Sequence, residues 1–331
     1  MKFQLVSDIH HFSTKDVFDG YKLGLQQAGV DFIHCDLTEI LKYHSFEHTL
    51  GLLLSQSLIK NNEITHILYV SGLSIPRWVY ESKYDKKVCI LSLDDPHCSM
   101  PLLRNKDCFD YYFTNEKTIE YKNAGIHYLP TATSASIPKE IGEHHKSDIV
   151  FVGTMYPSRV KMLEKVALWC QNNNKVFKII TPSPVKSTVL KKHIVINSII
   201  DNNETKRYYT GAEVVINVDR DINWSPQYGD NNPNLLDVGK EPESTNPRFY
   251  EIALCKSLQF YIDPRKEAID LLGDNIITST KENVDEKLKE AFNLSEDKKN
   301  EMVENSYNEV IKNHTYYSRV KTLINILNEE V

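Results

Sequence analysis

Glu243 and Glu251 are separated by seven residues, with Asn246 and Arg248 between them. The stretch Glu243-Ser-Thr-Asn-Pro-Arg-Phe-Tyr-Glu-Ile-Ala-Leu-Cys255 carries three residue types that suit one ligand. Asn246 is a good helix cap, and Pro247 falls at the first helical position, where proline costs least. From Phe249 onward the pattern predicts a short helix that turns Phe249, Ile252, Ala253 and Cys255 inward. A polar loop feeding a helix start brings free backbone N–H groups, the positive dipole end and the Arg248 guanidinium together, which suits a diphosphate. Glu251, one turn further on, can accept hydrogen bonds from a ribose diol. The apolar run Leu258–Ile262 then reads as a strand stopped by Asp263-Pro264.

Other clusters stand at predicted strand ends. Val150-Phe-Val-Gly153-Thr154-Met-Tyr156-Pro-Ser-Arg159 reads as strand, tight glycine turn and helix start. Gly153 lets the backbone approach a ligand closely, and Arg159 can reach an adjacent phosphate. A dinucleotide fingerprint is absent, because there is no G-x-G-x-x-G. Asp95 and His97, in Asp94-Asp95-Pro96-His97, form a carboxylate and imidazole pair able to serve as general base toward a hydroxyl. Asp8, His10 and His11 follow the first strand in a loop at its carboxyl end, where doubly wound sheets take ligands. Asp219-Arg220-Asp221 has D-x-D spacing but follows a strand, so Asn217 and Arg220 read as polar contacts near a bound ligand. The 12 histidines show no H-E-x-x-H or Cys/His spacing, so no metal site is expected. The run from Lys281 to Lys299 alternates in charge and reads as a solvated face.

These residues need rigid elements to hold them. At 331 residues the chain has length for two domains of ordinary size. Strands predicted at 2–7, 31–36, 65–71, 87–93 and 109–114 alternate with helices, including one at 116–123. This is the pattern of a doubly wound parallel sheet, whose ligands sit beyond the strands' carboxyl ends. A polar linker spans 134–147, and a second alternation opens at Asp148. Residues 219–242 form a long polar loop, functional or mobile, and an amphipathic helix runs from Tyr316 to Asn328. A net charge of −6 excludes a global field of the kind that holds nucleic acid non-specifically. The six cysteines lack C-x-x-C spacing and read as reduced thiols of a cytoplasmic protein. The first residues read as a strand rather than a signal peptide, and no apolar run approaches the ~18 residues of a membrane span.

The string Asn246-Pro-Arg248-Phe-Tyr-Glu251-Ile-Ala-Leu-Cys255 resembles the N-x-R-x-x-E-x-x-x-C motif of CgeB-like (spore-maturation) glycosyltransferases of the GT-B fold. More distantly, Glu243 and Glu251 resemble the E-x7-E pair of retaining GT-B enzymes. The segment from Val150 to Arg159 is similar to the family's F-V-G-x-x-Y-x-x-R opening of the donor domain. Asp94-Asp95-Pro96 is similar to its D-x-P loop, and His314-Thr-Tyr316-Tyr-Ser-Arg319 to its closing H-T-Y-x-x-R segment. The resemblance covers about residues 85–325 and is strongest from 148 on. One departure is Lys256, where the family usually has glycine after the cysteine.

The resemblance implies an α/β protein of GT-B architecture, two Rossmann-like doubly wound domains facing a central cleft. Residues 1–145 would form the acceptor-side domain, 146–314 the donor domain, and 315–331 a helix crossing back to the first. The donor side would comprise Gly153, Thr154, Tyr156, Arg159, Asn217, Asn246, Arg248, Phe249 and Glu251. Glu251 would hold ribose, and Arg248 and Asn246 the phosphates. Asp95, His97 and Glu243 would be catalytic, with Glu243 near the sugar, and Asp8, His10 and His11 would face the acceptor. The expected reaction moves a sugar from a nucleoside diphosphate donor, a UDP-sugar foremost, to a hydroxyl on a protein, glycan or cell-surface component. Retention of configuration and independence of metal or cofactor are implied with it. Alternatives are a phage-type glycosyltransferase acting on hydroxymethylated pyrimidines in DNA, a non-catalytic nucleotide-sugar binder, or a sugar epimerase of the same fold.

Overall fold

The computed structural model describes residues 1–9, 12–58, 63–83, 85–138, 140–222, 225, 227–228, 231–237 and 239–329. The chain divides into two compact units. Unit 1 comprises Met1–Ala132, Ile222–Ser244 and Tyr316–Val331, and unit 2 comprises Thr133–Asp221 and Thr245–Thr315.

Unit 1 is built on β1 (Phe3–Ser7), β2 (Phe32–Cys35), β3 (His66–Val70), β4 (Lys87–Ser92), β5 (Tyr111–Thr114) and β6 (Ile126–Tyr128). They form one parallel sheet in the order β2-β1-β3-β4-β5-β6. All five residues of β1 are buried, as happens when helices cover both faces of a parallel sheet. Phe3, Leu5, Leu68, Val70, Leu91 and Phe113 pack on one face, and Val6, Ile67, Tyr69, Val88, Ile90 and Tyr112 on the other. Each such apolar side chain contributes about 1.5–3 kcal/mol of burial. The first face is closed by helices Phe12–Gln27 and Tyr316–Glu329. These two helices approach so closely that a Cβ on Gly20 would collide with the Tyr316 ring, and one on Gly24 would lie 2.7 Å from the Tyr316 carbonyl oxygen. Arg319 fixes the last helix by donating through Nε to the carbonyls of Pro130 (2.9 Å) and Thr131 (3.2 Å).

Unit 2 contains β7 (Ser147–Val152), β8 (Phe177–Ile180), β9 (Ile194–Ile196), β10 (Ala212–Val218), β11 (Leu258–Ile262) and β12 (Ile277–Ser279). Its parallel order is β12-β11-β10-β7-β8-β9. The chain therefore winds outward from β7 in one direction and from β10 in the other. The crevice at that reversal, beyond the strands' carboxyl ends, is where doubly wound sheets take ligands. Helix Pro157–Asn172 packs on one face of the sheet, and helices Asn202–Thr210 and Pro247–Leu254 on the other. No helix among the described residues is long and apolar enough to cross a membrane.

The units meet the sequence boundaries imperfectly. Unit 2 begins at Thr133 rather than at 146, because the fully buried Lys206 ammonium donates to the carbonyls of Ser134 (3.1 Å) and Ser136 (3.0 Å). The expected long loop divides at Ile222, and its larger part belongs to unit 1. There His97 Nδ1 donates to Ile222 O (2.9 Å), Asn232 Nδ2 to His97 O (2.9 Å), and Leu236 N to Pro96 O (3.0 Å). Residues 116–123 form two short 3-10 turns instead of a helix, the first opened by the Glu116 carboxylate accepting from Thr118 N. The closing His314–Arg319 segment is structural. His314 stacks on Tyr250 with ring centroids 4.9 Å apart, and Thr315 bridges to Thr133.

Candidate active site

The reversal point of the second sheet gathers most of the residues singled out for a donor. Gly153 follows β7 with φ +153°, a conformation that L side chains rarely adopt, and a Cβ there would collide with the Arg248 guanidinium. That guanidinium has little room to yield. Its Nε donates to Val152 O at 3.0 Å, its Nη1 to Asn217 Oδ1 at 3.3 Å, and it lies 5.2 Å over the Phe151 ring. Arg159, in the first turn of helix Pro157–Asn172, is buried. Its Nε donates to Val218 O (2.9 Å) and its Nη1 to Thr154 O (3.1 Å), with Tyr156 at 4.8 Å. Burial, and then the neighbouring Arg248, push Arg159 down to about 9. A guanidinium keeps its proton in proteins, so the penalty stays in the site as a charge that Asp219 offsets only in part. A guanidinium has five N–H donors. The Arg159 and Arg248 bonds given above go to neutral carbonyl and amide oxygens, and neither side chain meets a carboxylate among the described residues. The pair therefore has both charge and hydrogen-bonding capacity to spare.

Asn246 caps helix Pro247–Leu254 as expected, its Oδ1 accepting from Phe249 N at 3.1 Å. Its amide nitrogen, expected at a phosphate, donates to Asp219 Oδ1 (2.7 Å) and Asn217 Oδ1 (3.0 Å) instead. Asn246 thus positions the helix mouth. Phe249 also departs from expectation. It is fully buried against Tyr250 and Tyr261, because inward-facing positions of a short amphipathic helix belong to the core. Asn217 is fully buried as well. Its Oδ1 faces two donors, which fixes the amide orientation and leaves Nδ2 without a partner. Glu251 follows Arg248 by three residues on the partly exposed side of the helix, and both act on the Tyr209 hydroxyl. Thr154 and Tyr156 are half-buried beside them, with Arg220 5.7 Å from the Tyr156 ring.

Three residues absent from the expected set complete the network. Asp219 receives the Tyr261 hydroxyl at 2.6 Å and Arg265 Nε at 3.4 Å, besides Asn246. Asp219 stands directly after β10, a position that sequence alone marks. Tyr261 lies inside an apolar strand and Arg265 opens a surface helix, so nothing in their local pattern signals them.

The carboxyl ends of the first sheet look different. Asp8 is buried and accepts from Ile9 N (2.7 Å), Ser71 Oγ (2.9 Å) and Ser74 N (3.1 Å). His10 and His11 lie outside the described residues. Asp95, expected as a base, is buried with its oxygens taken by Ser99 Oγ (2.6 Å), Thr114 Oγ1 (2.7 Å) and Tyr112 Oη (3.2 Å). Burial pushes its carboxyl up, against the pull of these hydroxyls. These bonds tie Asp95 into the packing of the first sheet, which makes it a structural knot. His97 donates through Nδ1–H to the Ile222 carbonyl, which fixes the orientation of its ring. Glu243 is partly exposed, and its backbone N–H donates to the buried Glu116 carboxylate at 3.0 Å. Glu243 belongs to unit 1 and Glu251 to unit 2, so the E-x7-E pair is divided between them.

Among the described residues, His144, His145 and Glu204 have ligand atoms within 4.8 Å of one another, close enough to consider a metal. The hydrogen bonds argue against it. His145 Nδ1 accepts from Gly142 N (3.0 Å), so its Nε2 carries the proton and donates to Glu204 at 2.9 Å. Replacing that proton by a metal would leave an imidazolate.

Three solved structures share this architecture over 99% of the chain. An alpha-glucosyltransferase in complex with UDP matches with a TM-score of 0.66 at 9% identity, covering 100% of that chain. Sucrose-phosphate synthase from Thermosynechococcus elongatus matches at 0.64 and 10%, covering 99% of its chain. HepE from Anabaena, in complex with UDP-glucose, matches at 0.63 and 9%, again over 99% of this chain and 100% of that one. The fold is therefore GT-B. In sequence, the chain is 22% identical to spore protein CgeB of Bacillus subtilis (strain 168) over 240 residues, 71% of each protein. Residues 158–325, just over half of the chain and including the Arg159, Asn246, Arg248 and Glu251 set, match the glycosyl transferase-like family, and the chain belongs to that family.

Proposed function

We infer that the chain transfers a sugar from a nucleoside diphosphate donor, a UDP-sugar foremost, to a hydroxyl group on a protein, glycan or cell-surface component. The observation that carries this is the pair Arg159 and Arg248. Two neighbouring guanidinium groups, held on neutral oxygens at the sheet's reversal point, match a diphosphate in charge and in donor number. As the glycosidic bond breaks, negative charge develops on the departing diphosphate, and preset cations stabilise that step. In this reading they supply the charge a metal would otherwise bring. Gly153 admits the phosphates to the backbone, Asn246 and Asn217 hold the arginines' surroundings, and Glu251 takes the ribose diol. Retention of configuration is favoured by the Glu243…Glu251 spacing. His97 replaces Asp95 as the first candidate to receive the acceptor proton, and the UDP-containing neighbours favour uridine as the base.

The test is calorimetric titration of the full chain with UDP, GDP and dTDP, followed by mass-spectrometric detection of donor hydrolysis with UDP-sugars. Binding of UDP that is lost in Arg248→Ala supports the reading. No heat with any nucleoside diphosphate sinks it. Asp95's committed carboxylate favours one second reading, a nucleotide-sugar binder without turnover, which predicts UDP binding but no slow hydrolysis of any donor.

A further inference from the structure

Two buried-side arginines without carboxylate partners pose a problem for a transferase, because the diphosphate is product as well as part of the donor. Attraction that is equal for donor and product does not lower the barrier, and it delays release. The site holds one carboxylate placed to offset it. Asp219 leaves β10 one residue after Val218, whose carbonyl holds Arg159 Nε. Its two oxygens are oriented by Asn246 Nδ2 (2.7 Å), Tyr261 Oη (2.6 Å) and Arg265 Nε (3.4 Å). The side chain is 17% exposed, so its charge acts in a poorly solvated place. It acts through space on Arg159 and Tyr261 alike.

We propose that Asp219 is a positioning residue that sets the charge balance of the donor site and keeps the free nucleoside diphosphate from binding too tightly. Resting on the donor-site reading above, this predicts an uncommon sign. Losing a network residue that only shapes the site weakens binding. Removing the Asp219 charge while keeping its shape strengthens it, since Arg265 and Arg159 then act on the phosphates without an opposing carboxylate.

The experiment titrates UDP into the full-length wild type and Asp219→Asn by calorimetry, at low salt and at about 0.5 M salt, where exposed charges are screened. Asp219→Asn is expected to bind UDP on the order of fivefold more tightly at low salt, with the gap closing at high salt. Asp219→Glu, which restores the charge, returns the affinity toward wild type. Asp221→Asn removes an exposed charge two residues away and leaves the affinity within about twofold. Equal or weaker UDP binding by Asp219→Asn overturns the proposal, as does an equal gain in Asp221→Asn. If Asp219→Asn does not fold, Asp219→Glu decides, since wild-type affinity supports a charge role and loss of binding a purely geometric one. Absence of UDP binding by the wild type would instead overturn the donor-site reading.

Discussion

The two sheets end in opposite ways. At the carboxyl ends of the first, Asp8, Asp95 and Glu116 are buried, and each accepts from three or four neutral donors. Glu116 alone accepts from Glu243 N, Ser244 N, Thr118 N and Thr118 Oγ1. At the ends of the second, Arg159 and Arg248 rest on neutral acceptors, and among the described residues their bonds number fewer than five each. A carboxylate offers about four lone-pair sites, so four donors close it; a guanidinium with five N–H groups stays open after two or three. Charge type alone therefore misleads about function. The count of unfilled hydrogen-bonding positions separates a knot from a binding group.

The contrast can be broken or sharpened by four substitutions. Arg248→Ala should weaken UDP binding about a hundredfold, the usual scale for losing a desolvated charge-assisted contact, with the melting temperature nearly unchanged. Retained affinity would erase the distinction between open and closed groups. Gly153→Ala should cost about tenfold in UDP affinity by calorimetry, because a left-handed φ and a displaced Arg248 together cost 1–2 kcal/mol or so, on the order seen for such strain. A milder loss, about fivefold for UDP and none for pyrophosphate, is expected of Glu251→Gln if its partner is the ribose. Equal losses for both ligands would move Glu251 to the phosphates.

The smallest effect tests the closed side. Asp95 has a raised folded-state pKa, chiefly through burial, so its contribution to stability is full in acid and is lost as pH rises through the folded value. Wild type should therefore exceed Asp95→Asn in melting temperature by more at pH 5 than at pH 8, while both bind UDP equally. A UDP affinity that falls with the substitution would place Asp95 in the donor site after all.

Much of unit 2 was readable because its chemistry is local. Gly153 and Arg159 share one strand–turn–helix, and Asn246, Arg248 and Glu251 share one short helix with its cap. Phe249 was misplaced because a motif position and a core position coincide on that helix. Asp95 was misread for a different reason: Ser99, Tyr112 and Thr114, which close it, arrive from a helix and another strand. Likewise, no local pattern shows that Ile222 and Glu243 fasten to His97 and Glu116 more than a hundred positions earlier. Distant pairing of this kind is decided by packing, not by periodicity.

Helix Tyr316–Glu329 seals the glycine-bearing face of helix Phe12–Gln27 from far along the chain. During synthesis that face must wait, its Phe18, Tyr21 and Leu25 wet, until some three hundred further residues have been added. A chain cut short at Thr315 should accordingly be sticky rather than merely inactive, and chaperone dependence should persist until helix Tyr316–Glu329 has emerged.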